Sequence, residues 1–207
     1  MRHLFTYTRL VMSTIKHPEQ RVGVFIDTQN LYHSAKNLYH TRANFGNILK
    51  DSVADRRLVR ARAYSVTTES GEEKGFFEAL GKVGIEMITK DLQVFYGGAK
   101  KADWDVGLAI DAIVASPKLD TVILVTGDGD FVPLVEYLQI HAGCQVEVVS
   151  FGRSTSGKLK EAADDFLDLD LDPKRYLLNF RPVRRSGPRE DRPRSEDAKE
   201  KDSLDLG

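Results

Sequence analysis

The feature that most constrains this chain is a pair of short apolar runs that each stop on acidic residues. Val22 to Ile26 reads VGVFI and runs into Asp27-Thr28-Gln29-Asn30, while Thr121 to Thr126 reads TVILVT and runs into Gly127-Asp128-Gly129-Asp130. Runs so short and so rich in aliphatic and β-branched residues suit strands covered on both faces, the situation of a parallel sheet between helical layers. Further strands are expected at LVRARAYSV (Leu58 to Val66), IEMIT (Ile85 to Thr89) and QVEVVSF (Gln145 to Phe151). Helical patterns fall between and after them, at Gln29 to His40, Glu73 to Val83, Asp103 to Ala115, Pro133 to His141 and Lys158 to Phe166. This alternation predicts an α/β fold with a mostly parallel, doubly wound sheet of about five strands flanked by helices.

The flanks read differently. Residues 1–20 are cationic, without a continuous apolar segment or a small-residue cleavage pattern, and are expected to form a flexible extension rather than a secretory signal. Residues 181–207 are rich in Pro, Arg and acids and too poor in apolar residues to offset their ordering entropy, so a disordered charged tail is expected, with residues 21–180 as the folded domain. The tail's Arg-rich first half can tether RNA or a protein partner, or simply solubilise the chain, and pairing into a homodimer is the other option. Over 207 residues, 30 Lys+Arg against 31 Asp+Glu excludes a uniformly basic nucleic-acid coat. No apolar run approaches the roughly 20 residues of a membrane span. The only cysteine, Cys144, can form no internal disulfide, which fits a reducing, cytoplasmic setting.

In an open parallel sheet, ligands bind beyond the carboxyl ends of the strands. That rule places Asp27 and Asn30 after the first strand, and Thr126, Asp128 and Asp130 at the end of the fourth; if those strands are neighbours, the carboxylates converge. KKADWDVGLAIDAI adds Asp103 and Asp105 near the start of the preceding helix. Asp111 lies about 240° further round the helix than Asp105. Asp105 is therefore the ligand candidate of those two, and Asp111 an outer or buried hydrogen-bonding residue. Carboxylates crowded at one edge repel one another unless a cation intervenes, and an all-oxygen donor set favours Mg²⁺ or Mn²⁺. The competing reading is local: Asp103 or Asp105 as a helix cap, with Asp128 and Asp130 shaping a Gly-rich turn.

Taken together, IDTQNLY, DWDVGLAIDAI, VTGDGDFVPLVEYLQIHAGCQVEVVSFG and SGKLKEAADDFLDL resemble the NYN domain, in its LabA-like branch, within the PIN-like nucleases. The resemblance runs from about Val22 to Leu169. It implies a Rossmann-like (PIN-like) fold, metal-dependent ribonuclease activity leaving a 5′-phosphate, and an acidic site made of Asp27, Asp105, Asp128 and Asp130. Asn30 matches the polar residue that follows the first family aspartate, and Thr126 the Ser or Thr before the GDxDF turn. The DVGLAID spacing favours Asp105 over Asp103.

Gly152 to Lys158 reads GRSTSGK, which satisfies a phosphate-loop spacing but continues with Leu159 where a metal-binding hydroxyl is required. Arg153, Ser154, Ser156 and Lys158 are nevertheless candidate RNA-phosphate contacts, as are Lys100 and Lys101; simple capping by Ser156 and solvated charges are the alternatives. Trp104 and Tyr96 can stack on bases or pack. The five histidines show no metal-ligand spacing. The expected activity is metal-dependent hydrolysis of RNA phosphodiesters, and the alternative is a non-catalytic RNA- or metal-binding regulatory protein.

Overall fold

The computed structural model describes residues 14–67, 74–91, 93–94, 100–101 and 104–181. The chain runs β1 (Arg21–Asp27), α1 (Thr28–Tyr39), α2 (Phe45–Val53), β2 (Arg57–Thr67), α3 (Lys74–Lys82), β3 (Glu86–Asp91), β4 (Gln93–Val94), β5 (Lys100–Lys101) and α4 (Asp105–Ala115). It continues through β6 (Thr121–Val125), α5 (Val132–Ile140), β7 (Gln145–Ser150), α6 (Gly157–Ala162), β8 (Asp165–Asp168) and α7 (Pro173–Tyr176). Six strands form one sheet in the order β3-β2-β1-β6-β7-β8, every neighbouring pair parallel, while β4 and β5 make a separate two-residue antiparallel pairing.

The sheet carries two apolar layers because its strands alternate. Val24, Ile26, Ile123 and Val125 face Leu31, Ala35, Ile48 and Leu80 of α1, α2 and α3. Phe25, Val122, Leu124 and Val148 face Leu108, Ala112, Leu134, Leu138 and Leu159 of α4, α5 and α6. Connections on β1's side of the order thus place their helices on one face, and those leading to β6, β7 and β8 use the other, as right-handed crossovers require. The order reverses between β1 and β6, and the carboxyl ends of these two strands lie side by side.

The sheet has six strands where the sequence pattern gave about five. The extra strand is β8, in a stretch that the pattern assigns to the end of a helix. α6 stops at Ala162 because Asp164 couples to the edge of β7: its N–H donates to the Val146 carbonyl at 2.8 Å, and its carboxylate accepts the Val146 N–H at 2.8 Å. α2 is a further addition, as are α7 and the short β4–β5 pairing; α2 is started by Asn44, whose side chain accepts the Asn47 N–H at 3.2 Å.

Of the expected N-terminal extension, residues 14–20 lie against the sheet, with Lys16 paired to Glu147 at 3.2 Å and to Asp165 at 3.0 Å. Residues 1–13, the tail beyond Arg181, Tyr96 and Asp103 lie outside the described residues. Among those described, no helix is long and apolar enough to cross a membrane.

Candidate active site at the carboxyl edge of the sheet

Asp27 ends β1 and caps α1: its Oδ1 accepts the Asn30 N–H at 3.0 Å, satisfying one of the unpaired amides of the first turn. Its Oδ2 accepts the Thr126 hydroxyl at 3.3 Å, and that same hydroxyl oxygen accepts the Asp128 N–H at 3.2 Å. Asn30 closes the arrangement from the other side, its side-chain oxygen accepting the Gly127 N–H at 2.9 Å. The two strand ends predicted to converge are therefore joined by hydrogen bonds. Thr126 is fully buried, a positioning group rather than a surface one.

Asp128 turns its Oδ1 onto the Asp130 N–H at 3.0 Å and so starts the short 3-10 turn Gly129–Phe131; Asp130 is exposed beside it. The glycines of GDGD are required by the neighbouring loop. A Cβ on Gly127 would lie 3.0 Å from Ser150 Oγ and 3.1 Å from the Ser154 carbonyl, and one on Gly129 would lie 2.8 Å from Ser156 Oγ. The Ser156 N–H donates to the Gly127 carbonyl at 2.9 Å, fixing the loop against the turn.

Burial pushes the Asp27 carboxyl above its ordinary range. The Asn30 and Gln29 amides and the Thr126 hydroxyl pull it back in part, while the Asp128 charge pushes it further up. Neither Asp27, Asp128 nor Asp130 has an ion-pair partner among the described residues.

Asp105 opens α4, where the helix's unpaired amides favour an anion. Its placement depends on Trp104, whose Nε1 donates to the Ser65 carbonyl at 2.9 Å and whose ring lies tilted against Tyr64, with Lys90 Nζ 5.7 Å from its centroid. Trp104 is thus a packing residue. Asp111 faces elsewhere, accepting from Arg62 at 2.9 Å and from the Tyr64 hydroxyl at 2.7 Å. Burial and the Asp111 carboxylate push that tyrosine hydroxyl far up, so Asp111 serves as a structural hydrogen-bonding residue.

The GRSTSGK segment does not form a phosphate cradle. The Gly152 and Arg153 N–H groups are spent on carboxylates, Asp168 at 2.9 Å and Asp170 at 2.8 Å. Ser156 precedes α6 but makes no side-chain cap bond, and Lys158 is exposed. Ser154 donates to Ser34 of α1 at 2.9 Å. Lys100 and Lys101 lie on β5, with their side chains outside the described set. The pattern analysis missed Asp168, Asp170 and Tyr39, although FLDLD repeats, at the end of β8, the acid spacing of GDGD.

A doubly wound α/β domain with linked acids at its switch point defines the class of the protein. The NYN domain family model matches residues 21–170, and the chain belongs to that family, in its LabA-like branch, within the PIN-like nuclease superfamily. The chain is 25% identical over 159 residues to the Low amplitude and bright protein LabA of Synechococcus elongatus, an alignment covering 72% of this chain and 84% of that one. It is 32% identical to a Vibrio parahaemolyticus protein of unknown function whose crystal structure superposes with a TM-score of 0.72, covering 80% of this chain and all of the other.

PIN-like nucleases generally use divalent metal ions, and the donor chemistry here fits one: all-oxygen, anionic, and, among the described residues, without an ion-pair partner at Asp27 and Asp128. Among the described residues, however, no three His, Cys, Asp or Glu side chains come together as a ready ligand group. The side chains of Asp27 and Asp128 are coupled through Thr126, and Asp130 is tied to Asp128 through its backbone N–H.

Proposed function

We propose that this NYN-domain protein is a metal-dependent endoribonuclease, hydrolysing RNA phosphodiesters at the β1/β6 switch point. The observation that carries this reading is the linkage of Asp27, Thr126 and Asp128: two electrostatically coupled carboxylates, the first of them half-buried, with no ion-pair partner for either among the described residues. Asp27 and Asp128 would hold Mg²⁺ or Mn²⁺, with Asp105 and Asp130 as the further candidate ligands. A bound ion would supply a water acidified toward neutral pH and neutralisation of charge on the scissile phosphate. Thr126 fixes the Asp27 carboxylate and Asn30 fixes the Gly127 backbone, so both act by positioning.

The test exposes purified protein to a mixed RNA pool with Mg²⁺, Mn²⁺ or a chelator and maps the ends of the products. Cleavage is expected with metal only, and Asp27→Asn or Asp128→Asn should lower it by about a hundredfold or more with the fold intact. Full activity in the purified double variant would rule the assignment out.

The second reading is a regulatory protein that uses the same linked acids to bind metal or RNA without turnover. Calorimetric binding of Mn²⁺ and RNA, with no cleavage across substrates, is the result that selects it.

A further inference from the structure

Beside the acidic turn, the segment after β7 carries a second organised arrangement around Arg153. Its N–H donates to Asp170 Oδ2 at 2.8 Å, and its Nη2 lies 3.4 Å from Asp170 Oδ1. The guanidinium carbon sits 4.7 Å from the centroid of the Tyr39 ring, and the Tyr39 hydroxyl donates to the same Asp170 Oδ1 at 2.5 Å. Asp170 is itself fixed by Asp168, whose Oδ1 accepts the Asp170 N–H at 2.8 Å and the Gly152 N–H at 2.9 Å. The segment is also fastened to the acidic turn through Ser156 and to α1 through Ser154. Despite all these restraints, the Arg153 side chain remains 56% exposed.

A structural arginine of this kind normally hides its head. Here the backbone and one edge are fastened, the ring supports one face, and the rest of the fork is left to solvent. An arginine ordered in advance loses less freedom when a planar or tetrahedral anion arrives, and a guanidinium stacked on an aromatic ring keeps its bidentate edge available.

We propose that Arg153 is a prepositioned contact for a backbone phosphate of the RNA strand whose cleavage is proposed above, and that Tyr39 and Asp170 are its positioning residues. This deepens that reading and rests on it for the identity of the ligand. Tyr39 ends the α1 helix that Asp27 begins, about 18 Å of helix rise away, so the contact is with the strand flanking the scissile bond.

The test is equilibrium binding of a short fluorescein-labelled single-stranded RNA to the full chain in chelator, by anisotropy across a salt series, with circular dichroism of each variant. Arg153→Ala should weaken binding by about tenfold and reduce the log–log salt slope by about 0.7. Arg153→Lys should recover the slope but only part of the affinity. The informative variant is Asp170→Asn. An acid acting through charge alone repels RNA, so its removal would tighten binding, whereas a positioning acid gives about a threefold loss. Tyr39→Phe, which keeps the ring and frees Asp170, should move in the same direction.

Unchanged or tighter binding by Asp170→Asn overturns the positioning role, and an unaltered salt slope in Arg153→Ala overturns the contact itself. No RNA affinity in the parent chain overturns this proposal together with the RNA reading. Binding that responds as expected without cleavage under any metal supports the contact and removes only the catalytic assignment.

Discussion

At Asp27, a helix cap, a proposed metal ligand and a half-buried charge coincide, and their energetic signs differ. The cap to Asn30 stabilises α1, but burial and the neighbouring Asp128 raise the carboxyl's pKa. A carboxyl whose folded pKa lies above its unfolded value, near 3.9, contributes most below that unfolded value and loses the contribution as pH rises through the folded pKa. At neutral pH the ionised Asp27 therefore destabilises the metal-free fold. Asn is an equally good cap without the charge. Asp27→Asn is accordingly expected to melt above the parent at pH 7 in chelator, with the gap closing as pH falls below the raised pKa and the parent's own carboxyl becomes neutral. Added Mn²⁺ should raise the parent's melting temperature and leave the variant's unmoved, because a ligand stabilises only the state that binds it. A thermal-melt series over pH, with and without Mn²⁺, checks both; a variant melting lower at pH 7 contradicts the assignment.

Among the elements, those written as continuous apolar runs were legible. β1, β6 and β7 appear within a residue or two of their expected positions because burial on both faces leaves little room for other residue types, and the partly exposed β2 and β3 were placed as closely by their β-branched and aromatic content. β8 was not legible: DFLD is a half-buried edge strand with acids at both ends, and Leu159, Ala162, Ala163 and Phe166 continue a helical spacing through its start. The acids after β1 and β6 could be placed because the strand-end rule needs only chain order. The partners of Asp111 could not, because Arg62 and Tyr64 belong to β2 and meet α4 only once the sheet order is known. α4 also supplies a test of packing against propensity. Replacing a helical Gly by Ala ordinarily gains up to about 1 kcal/mol. A Cβ on Gly107, however, would overlap the Trp104 ring, which is fastened to the Ser65 carbonyl and has little freedom to yield. Gly107→Ala should therefore lose about 1–3 kcal/mol in urea denaturation. In a Trp104→Ala background the same change should become favourable, and a gain in the parent background would show that the indole moves freely.

At the scale of the whole molecule, the carboxyl edge carries the candidate acidic site and the opposite edge carries a fastening. Arg56, in the turn before β2, reaches Glu147 of β7 with a two-pronged contact, Nη1 to Oε1 at 2.5 Å and Nη2 to Oε2 at 2.9 Å, their side chains only 1% and 3% exposed. The same guanidinium donates to the Ser52 and Val53 carbonyls at the end of α2. Gln145 donates to Oε1 at 2.7 Å, and Lys16 pairs with Oε2 at 3.2 Å. Since β1 and β6 lie between β2 and β7, this contact spans the middle of the sheet and ties the α2 layer and the 14–20 segment to its far half. Desolvation offsets much of the attraction in such a pair, so its net stabilisation is small, but breaking it leaves an uncompensated buried charge. Glu147→Gln should cost about 3–5 kcal/mol by urea denaturation, whereas Arg56→Met with Glu147→Leu should recover most of that loss. RNA cleavage per folded molecule should be unaffected, because the pair lies at the amino ends of the strands. A loss under about 1 kcal/mol in Glu147→Gln would place the pair with ordinary surface contacts and remove it as the fastening of the two halves.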